Sequence, residues 1–331
     1  MSFRPDEAAS RRRRVNAPRV RAARAARAAR AAAALLVAAT PMLAGCGKGS
    51  SSAVRSADTG ASARLTVRDD FGNEVALAPV PRRIVSLNPT TTELLFALRA
   101  GNRLVGRSRW DEWPAAAKGV PAVGDAIRPA VEQVLAARPD LVLLYASPDN
   151  RAAYDRIRGA GIRVVALRID HIAQFERAAR ILGRSIGDPA SGDSVADSVA
   201  TTLDRVRRAT RALAHPTVVW PVSDSPPIVI GGGSYMSELL DIAGAVNLYA
   251  GTRAPSPVVS VEDVVIRDPD VVIRGGGDPS RTWSRTWSAV PAVRDGHVVQ
   301  VSADLVSRPS VQLGAAAVAL ARALHPDATI P

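Results

Sequence analysis

One segment occurs twice in this sequence, as VEQVLAARPDLVL at residues 131–143 and as VEDVVIRDPDVVI at residues 261–273. Six of the thirteen positions are identical, including the Val-Glu and Pro-Asp pairs. Each copy has apolar residues at helical spacing before Pro-Asp and a β-rich apolar run after it. Proline cannot continue a helix, so each copy predicts a helix that leads into a strand. Chance use of Pro-Asp is the alternative, but we interpret the repeat as two lobes of like topology.

The regions around both copies alternate in the same way. The first has β-rich runs at 84–87, 104–106, 141–144 and 164–167, with helical patterns at 91–100, 131–137 and 151–159. The second has β-rich runs at 217–220, 271–273 and 298–301, with helical patterns at 235–243, 261–267 and 311–324. Alternating runs at 64–67 and 74–77 predict a β-hairpin ahead of the first lobe. The alternation predicts an α/β protein with mostly parallel sheets covered on both faces.

One long helix is predicted between the lobes, over residues 188–215. Asp188 can cap its start, Pro189 suits its first turn, and Pro216 prevents its continuation. Mainly apolar residues at spacings of three and four predict one buried face, and they are Val195, Val199, Leu203, Val206, Thr210 and Leu213. A helix of about 25 residues is about 37 Å long, which is enough to brace two lobes. The sequence thus predicts two Rossmann-like lobes, residues 64–187 and 216–331, joined by one rigid helix.

Most of the positive charge lies in the first 45 residues. The formal net charge is +12, and ten arginines with Asp6 and Glu7 in this segment account for +8 of it, which leaves +4 for the rest. This distribution argues against a nucleic-acid-binding face. An Arg-rich start, a short apolar run at 31–39 and small residues before Cys46 predict an export signal peptide over 1–45. The apolar run is too short to span a bilayer. Export by the Sec or the twin-arginine route stays open.

Cys46 is the only cysteine, so it cannot form an internal disulfide. Leu43-Ala44-Gly45-Cys46 resembles the lipobox of bacterial lipoproteins, whose cysteine is acylated and becomes the first residue of the mature protein. The resemblance implies that Cys46 carries a lipid and that residues 46–63, rich in Ser and Gly, form a flexible tether. The protein is then expected in the cell envelope, held by its lipid alone, facing the periplasm or the outer side of the cytoplasmic membrane.

A series of short motifs follows the predicted hairpin. They are Pro81-Arg82-Arg83-Ile84-Val85-Ser86-Leu87-Asn88-Pro89, Thr92-Glu93, Gly101, Arg138-Pro139-Asp140-Leu141-Val142, Gly159-Ala160-Gly161-Ile162 and Gly231-Gly232-Gly233-Ser234 with Leu239-Leu240 and Gly244. In order and spacing they resemble the substrate-binding lipoproteins of ABC importers for cobalamin, haem and iron-siderophores, most of all the cobalamin-binding members. The resemblance covers most of residues 64–325. It implies two lobes around a rigid helix, a ligand cleft between them, and a monomer that delivers its ligand to an ABC permease dimer.

Signatures of catalysis and of cofactor binding are weak. The chain has no Gly-x-x-x-x-Gly-Lys-Ser/Thr phosphate loop, and Met236 stands where a nucleophile elbow after Ser234 requires glycine. The four histidines have no metal-ligand spacing, and they are His171, His215, His297 and His325. The sequence therefore predicts a binding protein without a resident cofactor or metal, and not an enzyme. A cleft hydrolase on the same scaffold is the remote alternative.

Two loops are placed to bind a ligand, because each joins the carboxyl end of a strand to the start of a helix. One is Asn88-Pro89-Thr90 and the other leads through Ser234 to Tyr235. Their backbone N–H groups could donate to a polar ligand, and simple helix capping is the alternative.

Aromatic residues and one arginine complete the predicted ligand site. Trp110 and Trp113 share the loop after the strand at 104–106, and the resemblance favours Trp110 as the residue that faces the cleft. Tyr145 and Trp220 end strands and could reach the cleft as well. The resemblance places Arg308 in the cleft, where it would suit an acidic ligand, with a solvated helix-start arginine as the alternative. Ser256 departs from the cobalamin-binding pattern, which tends to have Trp there.

These features together predict a lipid-anchored receptor for cobalamin, with a ferric siderophore or haem as the alternative. An aromatic wall suits the face of a corrin or a porphyrin. The repeat also places Glu132 and Glu262 at equivalent helix starts. The resemblance implies that one glutamate of each lobe docks on the two identical subunits of the permease.

Overall fold

The structure is a computed structural model that describes residues 66–276 and 283–331. The predicted signal peptide, Cys46 and the tether lie outside these residues. The predicted hairpin is present as the antiparallel pair β1 (Thr66–Arg68) and β2 (Glu74–Ala76). Asp69 shapes its turn, since Oδ1 accepts hydrogen bonds from the backbone N–H of Phe71 and Asn73 at 3.1 and 2.8 Å. Asp69 Oδ2 accepts from the Tyr154 hydroxyl at 2.6 Å, which ties the hairpin to the first lobe.

The first lobe is a parallel sheet with the order β4-β3-β5-β6. Its strands are β3 (Ile84–Ser86), β4 (Leu104–Arg107), β5 (Leu141–Tyr145) and β6 (Arg163–Leu167). Its helices are α1 (Pro89–Ala97), α2 (Val131–Ala136) and α3 (Arg151–Gly159). The apolar strands are almost fully buried because helices cover both faces of the sheet.

The second lobe repeats this plan with the parallel order β10-β7-β11-β12. Its strands are β7 (Thr217–Val219), β8 (Pro221–Asp224), β9 (Pro227–Val229), β10 (Val246–Asn247), β11 (Val271–Gly275) and β12 (Val298–Val301). Its helices are α6 (Tyr235–Ile242), α7 (Val261–Arg267), α8 (Pro291–Arg294), α9 (Ala303–Val306) and α10 (Leu313–Leu324). The hairpin β8–β9 leaves this sheet beyond the carboxyl end of β7. The sequence analysis did not predict this hairpin.

The sequence repeat is also a structural repeat. Arg138 and Asp268, at the same repeat position, both have left-handed backbone conformations, with φ of 46° and 45°. Two residues on, the carboxylates of Asp140 and Asp270 each accept backbone N–H groups at the start of the neighbouring strand. Asp140 accepts from Arg83 at 3.1 Å, and Asp270 accepts from Thr217 at 2.7 Å. The aspartate of each Pro-Asp pair therefore attaches its helix-to-strand turn to the start of the neighbouring strand, β3 in the first lobe and β7 in the second.

Two packed helices connect the lobes. The predicted long helix is α5 (Pro189–Thr210), whose cap is Asp188, and it packs against α4 (Ile172–Ser185), which the sequence analysis did not predict. Gly183 and Gly192 lie where the helices touch. A Cβ on Gly192 would come within 2.7 Å of the Ala179 carbonyl oxygen, so only glycine permits this approach.

A single apolar cluster continues from one lobe into the other through these helices. It contains buried residues of α1, α4, α5, α6 and α10, among them Leu94, Phe175, Leu203, Leu239 and Leu320. The buried face of α5 contains Val199, Leu203, Val206 and Thr210, as predicted. Over residues 66–276 and 283–331, no helix has the length and apolar character needed to cross a membrane.

The contact between α4 and α5 gives a first prediction. Gly192→Val should lower the free energy of unfolding by about 1–3 kcal/mol, because the added side chain overlaps the backbone of α4. Urea unfolding of the purified protein measures this change. Gly159→Ala is the control, because a Cβ there meets no atom within 4 Å. Equal stability of the two variants would contradict the close helix contact.

Candidate ligand cleft between the lobes

The carboxyl ends of the two sheets face each other. Thr90, which follows β3, donates its hydroxyl hydrogen to the carbonyl of Pro309, beyond β12, at 2.8 Å. The backbone N–H of Tyr235 donates to the carbonyl of Asp170, which follows β6, at 2.7 Å. Ligands of parallel α/β sheets bind outside the carboxyl ends of the strands. The candidate site is therefore the cleft that these loops border, and the two hydrogen bonds belong to the junction at which the lobes meet.

Glu238 of α6 strengthens this junction. Its Oε1 lies 2.7 Å from His171 Nδ1, and its Oε2 accepts from the backbone N–H of Ile172 at 2.8 Å. Glu238 therefore caps the start of α4 from the other lobe, where a carboxylate is favoured by the helix dipole.

A buried ion pair crosses the same junction. Nε of Arg308, in the second lobe, donates to Oε1 of Glu93 on α1. The Glu93 side chain is fully buried, and that of Arg308 is 19% exposed. Burial raises the pKa of Glu93 from 4.5 to about 7, although Arg308 acts in the opposite direction. The arginine predicted to face an acidic ligand is thus held by a carboxylate of the protein itself.

Asp111 anchors the loop that contains the two predicted tryptophans. Its Oδ2 accepts from the Thr92 hydroxyl at 2.5 Å and from the Ser108 backbone N–H at 3.2 Å. Burial raises the pKa of Asp111 to about 6. With its base fixed in this way, the loop holds Trp110 63% exposed and Trp113 38% exposed.

A second loop of the first lobe lies beside Trp110. The backbone N–H of Arg109 donates to the Gly124 carbonyl at 2.9 Å, and the Arg109 guanidinium lies 3.0 Å from Asp125 Oδ2. Asp125 Oδ1 accepts from the backbone N–H of Ile127 at 2.9 Å, and the Ile127 side chain is 65% exposed. Sequence analysis missed Ile127, although an isoleucine between Asp125 and Pro129 in a polar loop was a usable signal.

The second lobe also exposes apolar side chains near the cleft. Val222 lies on β8 and is exposed, as is Val258. Val258 pairs with Ile228 of β9 and so extends the hairpin at the carboxyl end of β7. Ser256, two residues earlier, is exposed as well.

The other predicted ligand residues have partners inside the protein. Asn88 is buried and caps α1, accepting from the Thr90 N–H at 3.0 Å, with Pro89 half-buried in the first turn. Ser234 is buried, caps α6 and donates to the Gly231 carbonyl at 3.0 Å. The Tyr235 hydroxyl donates to the Val306 carbonyl at 2.6 Å.

The two strand-end aromatics are held in a similar way. The half-buried Tyr145 donates to Asp170 Oδ1 at 2.6 Å. Trp220 is 1% exposed, and its indole lies so close to Gly275 that a Cβ there would approach Nε1 to 2.8 Å. Trp220 is therefore part of the core, whereas Tyr145 stays a predicted ligand residue.

The three glycines before Ser234 have a packing role. A Cβ on Gly231, Gly232 or Gly233 would lie 2.1, 1.9 or 2.1 Å from a carbonyl oxygen of the facing loop, residues 250–254. The N–H groups of Gly231 and Gly232 already donate to the carbonyls of Pro255 and Tyr249. Close approach of two backbone segments accounts for this glycine run.

Both predicted docking glutamates are exposed in the first turns of α2 and α7. Glu132 lies 2.8 Å from Arg156 Nη2, and a hydrogen bond from its own backbone N–H together with this arginine lowers its pKa. Among the residues that the structure describes, no group of three His, Cys, Asp or Glu side chains could hold a metal ion.

Comparison with known proteins relates this architecture to others. Residues 84–305 match the family described as periplasmic binding protein. An ABC transporter substrate-binding lipoprotein of Bacillus subtilis, YvrC, is 29% identical over 305 residues, which cover 89% of this chain and 96% of the relative. A vitamin B12-binding protein of Vibrio parahaemolyticus is 24% identical over 72% of this chain and 88% of the relative.

Two solved structures share the fold. The periplasmic vitamin B12 binding protein of Vibrio cholerae superposes with a TM-score of 0.67 at 23% identity, covering 75% of this chain and 98% of the other. A periplasmic haem binding protein from Pseudomonas aeruginosa gives a TM-score of 0.65 at 26% identity, covering 75% and 94%. The expected class of fold, two lobes with parallel sheets, is thereby confirmed.

The buried carboxylates of the junction predict how stability depends on pH. The folded-state pKa of Glu93 is about 7, against 4.5 as its ordinary value, so folding favours the protonated group. The contribution of Glu93 to the free energy of unfolding should therefore be highest below about pH 4.5 and should fall as the pH rises through about 7. Asp111, with its pKa of about 6, adds to this trend.

Urea unfolding at intervals between about pH 5 and about pH 8 measures the effect. Glu93→Gln should make the pH dependence shallower, because the variant has no proton to lose there. Glu112→Gln is the control, since Glu112 is exposed in the neighbouring loop. An unchanged slope in Glu93→Gln would contradict the raised pKa.

Proposed function

Because the chain belongs to the periplasmic binding protein family, we propose that its cleft captures cobalamin and that the protein delivers this ligand to the permease of an ABC importer. At the coarser level the chain is a substrate-binding protein of such an importer, of the type that serves vitamin B12, haem and iron. The named relatives are a substrate-binding lipoprotein of an ABC transporter, a vitamin B12-binding protein and a haem binding protein, which supports a role in binding rather than catalysis.

The exposed side chain of Trp110 is the observation that favours a large, flat ligand. Its loop is held by the buried Asp111, so the indole stays outside the core at 63% exposure. Large apolar side chains exposed together are typical of binding surfaces, and Trp113 and Ile127 share this region of the first lobe. An aromatic face stacks well on a corrin or porphyrin ring, and flanking aliphatic groups exclude water from its edge.

Haem is the second candidate. The same apolar side chains suit a porphyrin, and the 26% identical Pseudomonas protein is a haem binding protein. Cobalamin is favoured because Arg308, the cation that would receive a haem propionate, is paired with Glu93.

The proposed cellular location rests on the first 63 residues of the sequence. We propose that residues 1–45 direct export, that Cys46 is acylated, and that residues 46–63 tether the folded part to the membrane. The lipoprotein name of the Bacillus relative supports the anchor.

Glu132 and Glu262 are proposed to contact the permease. They occupy the same position in the two copies of the structural repeat, and both are exposed in the first turn of a helix. Two like permease subunits would present two like basic surfaces, and one carboxylate per lobe matches them. Rim charges of this kind set orientation and encounter rate more than affinity.

Equilibrium binding tests the ligand. The soluble fragment 47–331, which lacks the signal peptide and the lipidated cysteine, should bind cyanocobalamin with a dissociation constant below about 10 μM, in the range that aromatic contacts in a cleft supply. Haem and a ferric hydroxamate are measured in parallel. If all three bind more weakly than this, the proposed ligand class is wrong.

Trp110→Ala should weaken cyanocobalamin binding by about 1–3 kcal/mol, the range for loss of an aromatic anchor. Ligand should also quench the tryptophan fluorescence of the wild type. Val246→Ala is the control, since Val246 is an exposed apolar residue on β10, paired with the start of β7 and so remote from the cleft. Equal affinity of the two variants for cyanocobalamin would contradict the proposed contact between Trp110 and the ligand.

Charge reversal tests the docking residues. The double variant Glu132→Arg with Glu262→Arg should abolish ligand uptake by cells that depend on this protein, while the affinity for ligand stays unchanged. The matched control reverses two other exposed carboxylates, Glu74 and Asp327. Uptake at the control level by the first variant would exclude the docking role.

A further inference from the structure

Arg308 lies at the cleft, and its positive charge is paired with a carboxylate of the protein itself. Its Nε donates to Glu93, and its Nη1 donates to the Ser307 hydroxyl at 3.1 Å. The adjacent Thr90–Pro309 hydrogen bond, at 2.8 Å, holds the segment of Arg308 against α1. Glu93 and Ser307 therefore hold two of the three guanidinium nitrogens, while Nη2 is buried without a hydrogen-bond partner.

The surroundings of the pair contain charges of both signs. Asp111 lies close enough to Glu93 for its charge to raise the Glu93 pKa further, while Arg308 is the cation in contact with Glu93. Arg107 faces Asp111 from β4, and its guanidinium donates to the carbonyls of Val120 and Ser108. Glu93 and Asp111 thus lie close together on the first-lobe side of the junction, and Arg308 reaches Glu93 from the second lobe.

We propose that Glu93 is a specificity-determining residue, which neutralises Arg308 and so makes the cleft select uncharged ligands over those with carboxylates. The inference rests on the proposed function, because it concerns the ligand of that same cleft. Glu93 acts through Arg308 and need not touch the ligand itself.

The physical basis is a competition between carboxylates for one guanidinium. A ligand carboxylate that enters the cleft must lose water, and that cost is offset only by a cation free to pair with it. Arg308 is already paired, so the ligand carboxylate would also meet the like charge of Glu93. An amide or ester group bears no such cost. Repulsion of the wrong ligand is a common source of specificity.

Glu93→Gln isolates this effect because the amide keeps the size of the side chain and an oxygen that accepts from Arg308. At about pH 8, above the Glu93 pKa of about 7, the substitution removes only the negative charge, so binding is measured there. The probes are haem and its dimethyl ester, which share one ring and differ in their carboxylates, with cyanocobalamin as the ligand of the proposed function.

In the wild type, haem should bind no more tightly than its ester. In Glu93→Gln, haem should bind about tenfold more tightly than in the wild type, the gain expected from a charge-assisted hydrogen bond. Affinity for the ester and for cyanocobalamin should stay within about twofold, which is well below that gain. A merely structural role of Glu93 would instead shift all three affinities in the same direction.

Two controls complete the experiment. In the double variant Glu93→Gln with Arg308→Gln the gain for haem should disappear, because the freed cation is gone. Glu74→Gln removes an exposed carboxylate on β2 of the leading hairpin, outside the proposed site, and should change nothing.

The outcomes separate this inference from the proposed function. Equal ratios of haem to ester affinity in the wild type and in Glu93→Gln, with cyanocobalamin still bound, overturn the role of Glu93 alone. Wild-type protein that binds haem about tenfold more tightly than the ester overturns it as well, with no variant required. Failure of every probe to bind the wild type would instead overturn the proposed function.

Discussion

The close packing of α4 on α5 is the contact on which the two-lobed arrangement depends. Gly183 and Gly192 bring the helix backbones together, and the apolar face of α5 continues into the cores of both lobes. Because the helices are packed along their length, the lobes cannot separate without exposing that shared core. The loops at the carboxyl ends of both sheets are thereby held opposite each other. This position allows Arg308 to pair with Glu93 and Glu238 to cap α4 across the junction of the lobes.

The junction shows how charge is used where the lobes meet. A buried ion pair adds little net stability, since desolvation offsets most of its attraction, but loss of either partner leaves an uncompensated charge. Glu93 and Arg308 therefore contribute more to the alignment of the lobes and to the electrostatics of the cleft than to stability. The neighbouring loop exposes Trp110 and Trp113, so in the proposed site the apolar contacts with the ligand and the discrimination by charge would come from different residues.

Much of the fold could be predicted from local patterns, and the site much less. The bounds of α3, α7 and β12 agree with the prediction. Apolar periodicity and a Pro-Asp pair at the end of a helix are local signals, and a sequence shows them directly. The helix α4 was missed although Ile172, Phe175 and Leu182 have helical spacing. The pairing of Arg308 with Glu93 joins residues 215 positions apart, and no local pattern encodes such a contact. The predicted cleft positions of Trp220 and Tyr235 rested on strand and helix ends, which do not reveal whether a side chain turns toward the core.

The braced pair of helices also has a kinetic consequence. A receptor whose cleft exists before the ligand arrives loses no affinity to a rarely populated binding-competent state. Its association rate is then set by diffusion and orientation, and the lifetime of the complex by the contacts in the cleft. A receptor whose lobes stay braced in this way would have no opening motion of its own with which to release its ligand. The free energy for release must then come from a partner that engages the receptor.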